Sequence, residues 1–176
     1  MHAAARLGVF ADRIDRLTAA LGRGAAWCAL FMVLAQVALV LMRYVLGAGS
    51  IRLQESILYA HAGLFLLAAA WTLQCGGHVR VDIAYAAASP RAKAVIDLAG
   101  ALLLGLPFVT ALVWLSLPYV GRSWAILERS REASGLPLVF LLKSLIPAFG
   151  LLLGLQIVAQ AIRSGCVLAG AADRPS

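Results

Sequence analysis

Four charge-free runs, residues 24–42, 56–77, 98–121 and 144–162, dominate this chain and leave it few ways to fold. Each is close to the roughly 20 residues that a helix needs to cross a hydrocarbon core of about 30 Å. In lipid no water satisfies a backbone N–H or carbonyl, so such a segment spans as a helix whose bonds close within itself. The overall balance agrees, since 62% of the 176 residues are hydrophobic and only 13% are charged, with a mean hydropathy of +0.91. A soluble domain carries closer to half apolar residues. A signal peptide is a rival account of the first run alone, and three further runs of the same kind speak against it.

The expected fold class is all-α, an integral membrane bundle of four transmembrane helices preceded by an amphipathic interfacial helix, in one membrane domain over residues 1–176. Leu7, Phe10, Ile14, Leu17 and Leu21 recur at steps of three and four, while Arg6, Asp12, Arg13, Asp15 and Arg16 take the other face. That pattern predicts a helix over 6–22 lying in the membrane surface. Spans follow over 24–46, 56–76, 95–118 and 138–162. A polar stretch between the last two, with Ser123 as N-cap and Gly135 and Pro137 as stop, predicts a short external helix over 123–134. Pro107 and Pro118 predict a kink or an early end in the third span, and Pro147 a bend in the fourth.

The net charge of +7 does not point to nucleic acid, because no basic patch with interleaved aromatics is present. It reads instead as orientation. With the N-terminus in the cytoplasm, the inner side holds Arg6, Arg13, Arg16, Arg23, Arg80, Arg91, Lys93, Arg163 and Arg174, and these outnumber Arg43, Arg52, Arg122, Arg129, Arg131 and Lys143 outside. Both termini are then cytoplasmic. Cys28, Cys75 and Cys166 fall on that same side, where thiols stay reduced and no disulfide is expected.

Candidate structural or partner-contact residues gather at the membrane boundaries. The short link over 47–53 makes the first two spans antiparallel neighbours and is expected to pair Arg43 with Glu55 at one surface, since a lone charge deep in the bilayer costs about 2.5–3.5 kcal/mol on insertion scales. After the second span, Gly76 and Gly77 break the helix, and His78, Arg80 and Asp82 alternate with Val79, Val81 and Ile83 as in an extended interfacial segment. One Cys and one His there make no four-ligand metal site, so neither metal nor cofactor is expected. Trp124 and Glu128 mark the external segment, free to rest on lipid headgroups or to receive an external partner. Lys143 and Pro147 lie in the first turns of the fourth span. Gln156 and Gln160, one turn apart, give its inner half a polar stripe able to bond another helix.

No central carboxylate or broken helix supplies the midplane ion site of a secondary transporter, and the chain reads as a non-catalytic scaffold. Two alternatives stay open. A haem-binding or other four-helix membrane anchor would use His61, the one histidine within a span. A small multidrug exporter would use an embedded acid, for which Glu55 is the nearest candidate.

Arg43-Tyr44 closing the first span, Gln54-Glu55-Ser56 opening the second, Gly77-His78-Val79-Arg80-Val81-Asp82 after it, Ser123-Trp124 through Gly135-Leu136-Pro137, and Lys143-Ser144-Leu145-Ile146-Pro147 occur in this order. Together they resemble the small permease subunit (DctQ type) of tripartite ATP-independent periplasmic (TRAP) transporters over nearly the whole chain. The Glu-Ser, Gly-Leu-Pro and Lys-Ser-x-x-Pro elements look most like the branch associated with mannitol, chloroaromatic and 2-oxo acid uptake. The resemblance implies a bacterial inner-membrane protein whose partners are a large permease subunit, carrying the sodium and substrate sites, and a periplasmic solute-binding protein. The small subunit would clamp the large one during uptake of an organic acid or related solute.

Overall fold

A computed structural model describes residues 2–78 and 85–170, with side chains from residue 6 onward. Its four long helices are α1 His2–Val45, α2 Ile51–Gln74, α3 Pro90–Ala125 and α4 Val139–Leu168, each long and apolar enough to cross a membrane. Among the described residues there is no strand. Contacts between Thr18, Gln74 and Gln156 fix one end of the bundle, and contacts of Glu55 with Ser130 and Leu136 fix the other. The chain therefore runs up and down four times. We call the first the terminal end, because α1 begins and α4 finishes on that side, and the second the loop end.

Helix α4 is central, in contact with all three others, whereas α1 packs on α2 and α4, and α3 mainly on α4. The sequence reason is its small residues. A Cβ built on Gly150 would stand 2.7 Å from Val113 of α3, and one on Gly154 would stand 3.2 Å from Val109, so glycine lets the two backbones approach as membrane helices do. Helix α1 uses the same device. Ala11, Ile14, Thr18, Gly22, Ala25 and Ala35 form its buried stripe at steps that follow the helical period, and Gly22 abuts the Trp71 ring so closely that a Cβ would fall 2.6 Å from it. Two small apolar clusters result, Ala11 with Ile14 and Ala159, and Val109 with Leu153 and Ile157. Trp27, Leu34, Leu103, Trp114 and Leu115 point outward, as suits a lipid or protein partner rather than water.

Three expectations are corrected. There is no break between an interfacial helix over 6–22 and a span from residue 24, because α1 continues through Gly22 and Gly24 as one helix of 44 residues. At 1.5 Å per residue it is roughly 66 Å long, about twice what a bilayer core requires. Its first turns dock on α4, so Ile14 is buried while Leu7, Phe10, Leu17 and Leu21 stay exposed.

The third span is also longer than 95–118. Ser89 caps it by accepting the Ala92 N–H at 3.2 Å, with Pro90 in the first turn where no donor is missed. A π-helical turn over Ala101–Gly105, in which the Leu106 N–H reaches the Ala101 carbonyl, immediately precedes Pro107. Such a wide turn absorbs the donor that proline lacks, and the helix then passes through Pro118 to Ala125.

No separate helix forms over 123–134. Residues up to Ala125 finish α3, and 126–138 are turns. Leu127 takes the left-handed φ of 45°, with the Glu128 N–H bonded to the Ser123 carbonyl at 3.0 Å and the Leu127 N–H to that of Trp124 at 3.1 Å. This pair of bonds is the usual way for a helix to stop.

Candidate functional site

Two polar clusters, one at each end of the bundle, hold most of the ionisable groups whose partners are defined. At the loop end, α2 begins with Ser50 accepting the Leu53 N–H at 3.2 Å, which places Glu55 just inside the helix, facing the 126–138 connection. One Glu55 oxygen accepts the Ser130 hydroxyl, and the other accepts the Leu136 N–H at 2.5 Å. Arg52 Nε donates to the Ser134 carbonyl at 3.2 Å. Gly135 is needed at this crossing, because a Cβ there would lie 2.4 Å from the Ser130 hydroxyl and 2.8 Å from Glu55 Oε1.

Beside it, Glu128 Oε2 accepts both the Lys143 ammonium and the Ser123 hydroxyl, the latter at 2.7 Å. The hydrogen bond from Lys143, then that from Ser123, holds the Glu128 carboxyl below the usual carboxylate range against a smaller opposing effect of burial. The Lys143 ammonium also lies 4.1 Å from the centre of the Tyr119 ring. Trp124 Nε1 donates to the Ser144 hydroxyl at 2.8 Å, and its ring meets Phe140 edge to face at 4.6 Å. The connection is thus tied to the first turns of both α2 and α4.

At the terminal end the cluster is interhelical, buried at Thr18 and Gln156 and open at Arg163 and Asp12. Gln156 of α4 accepts the Thr18 hydroxyl at 2.9 Å and donates to Asp15 at 2.8 Å. Thr18 is 1% exposed and Gln156 fully buried, so neither has water as an alternative partner. Arg163 bridges Asp15 and Asp12. Gln160 Nε2 donates to the Leu73 carbonyl at 3.1 Å and so ties α4 to the last turn of α2.

The candidates named from the sequence fare unequally. Glu55, Trp124, Glu128 and Lys143 come together at the loop end. Arg43 does not join them: its expected pairing with Glu55 is replaced by the Ser130 and Leu136 bonds, and Arg43 stands exposed at the end of α1. The 126–138 connection reaches the Glu55 carboxylate with a hydroxyl and an N–H, groups no charge count would register. Pro147 lies inside α4 without ending it. His78 Nε2 is 3.3 Å from the Ala69 carbonyl, a bond its donor tautomer makes. Arg80 and Asp82, with the extended segment read over 79–83, lie outside the described residues.

Asp15, Thr18 and Arg163 were not singled out as contacts. A signal for them existed, since Asp12 and Asp15 share a helix face, as do Gln156, Gln160 and Arg163. His61 stacks parallel on Phe65 with ring centres 6.4 Å apart. Among the described residues no group of three or more His, Cys, Asp or Glu is placed to hold a metal ion. The arrangement braces helices at two levels.

The family model described as "Tripartite ATP-independent periplasmic transporters, DctQ component" matches residues 25–166, most of the chain. No curated protein and no solved structure matches it.

Proposed function

We infer, from the premise that the chain belongs to the DctQ component family of tripartite ATP-independent periplasmic transporters, that it is the small scaffolding subunit which holds the large permease subunit in place. Membership makes it a multi-pass membrane component of a transporter. The finer reading is that it moves nothing itself and supports sodium-coupled uptake of an organic acid or related solute. One observation carries this: Asp15, Arg163, Glu55, Glu128 and Lys143 all spend their charges on bonds that brace the chain's own helices. Groups committed in this way are not available to bind and release an ion in each cycle.

The outward apolar faces of α1 and α3 supply the surface that a large membrane partner would cover. The reading places both termini in the cytoplasm and the 126–138 connection outside. The test is reconstitution. Proteoliposomes with this chain alone should show no sodium-driven uptake, and adding the large subunit and the solute-binding protein should produce it. Robust uptake by the chain alone would end the scaffold reading.

A further inference from the structure

At the loop end, Glu128 is paired with Lys143 and Glu55 is held by the Ser130 hydroxyl and the Leu136 N–H, but the arginines around them have no ionic partner among the described residues. Arg52, Arg129 and Arg131 line one concavity of about 350 Å³ with Glu132, Gly135 and Pro137. All three arginines are exposed, and none is in an ion pair among the described residues. Arg52 uses Nε on the Ser134 carbonyl, which leaves the outer nitrogens of its guanidinium free to bond. Glu132 is the one carboxylate among the lining residues, and with the Glu55 carboxylate close behind Gly135 the three arginines still leave a net positive charge.

The backbone under these arginines is fixed at several points. Glu55 holds Ser130 and Leu136, the Ser130 N–H bonds the Leu136 carbonyl at 3.1 Å, and Glu128 holds Lys143. Ordering such a connection costs conformational entropy. Mobile lipid headgroups need no fixed presentation to pair with an arginine, whereas docking a structured surface gains from groups already in place. Planar guanidinium forks suit carboxylates in particular.

We propose that Arg52, Arg129 and Arg131 form a docking surface for carboxylates on an external protein partner, the solute-binding protein of the same transporter. This rests on the subunit reading above. The surface steers encounter and fixes orientation, and it does so more strongly at low salt.

The test uses the full chain co-purified with its large subunit in phosphatidylcholine nanodiscs, with binding of the solute-binding protein measured at low and high salt. The double variant Arg129→Glu/Arg131→Glu should weaken association about tenfold or more and flatten its salt dependence. Arg129→Lys/Arg131→Lys should keep the salt dependence and lose part of the affinity, since the charge remains and the guanidinium fork does not. Co-purification of the large subunit reports on the scaffold reading separately, and its retention in the charge-reversed variant shows that the fold is intact. Equal binding by wild type and the reversed variant overturns the docking surface. So does a loss confined to binding of phosphatidylglycerol over phosphatidylcholine vesicles, which makes it a lipid headgroup site.

Discussion

Both ends of the fully buried Gln156 amide are used, by the buried Thr18 and by the partly exposed Asp15. Gln156→Leu removes both bonds at once, while the Thr18 hydroxyl keeps the Ile14 carbonyl and Gln74 within reach and Asp15 keeps Arg163. The expected loss is about 0.5–1.5 kcal/mol, the net worth of such bonds where the former partners keep others, with the lower end favoured because interhelical bonds in membranes average about 0.6 kcal/mol. Combined with Thr18→Val the loss should be smaller than the sum of the two single losses, since the bond they share is counted once, and a double-mutant cycle in detergent reads the coupling. Strict additivity would mean that the two side chains do not meet. Glu128 answers to pH. Its folded pKa is depressed below the ordinary 4.5, so its contribution is fully present above that value and is lost as pH falls through the lower folded one. Hydrogen exchange over 126–138 should be slower in wild type than in Glu128→Gln at neutral pH, and the two should converge in acid. A difference that persists unchanged to low pH would show that the carboxylate is not what holds the connection.

Between elements, glycine sets how closely helices lie. Gly22 against Trp71 brings α1 onto α2 just where the first charge-free run begins. Gly22→Ala places a methyl inside the ring's space and should cost about 1–3 kcal/mol, the range for overpacking. In a Trp71→Leu background the same change should cost much less. Thermal unfolding of the four purified variants compares them, and an equal cost in both backgrounds would remove Trp71 as the cause. The π-helical turn in α3 works differently, since it lets a proline stay within a span. A proline rule applied residue by residue predicts a kink or stop there, and backbone adjustment over Ala101–Gly105 avoids it.

For the molecule as a whole, four antiparallel spans put both termini at one end, and the remaining question is which side of the membrane that end faces. The basic residues favour the cytoplasm. An alkaline phosphatase fusion after Ser176 should therefore be inactive, and one inserted after Ala133 active. The reverse pattern would invert every sidedness assignment made for this chain, including the external placement of the arginine surface.

The sequence by itself determined the solvent, the number of spans and the fold class, because hydropathy over some twenty consecutive residues is a local property that partners cannot change. It also marked Gln156 and Gln160 as groups that bond a neighbouring helix, and Glu55, Trp124, Glu128 and Lys143 as boundary residues. Only the tertiary structure decided what each one meets. Arg43 and Glu55 are close in the chain and opposite in charge, yet the connection between α3 and α4 supplies the nearer donors, a hydroxyl and an N–H more than seventy residues away. The short external helix was lost for the same reason. Its polar residues suit a helix locally, but Ser130, Ser134 and Leu136 use their backbone or hydroxyl groups to close onto α2. Where several polar groups compete for one partner, distance in space chooses among them, and that distance is set by how the whole chain packs.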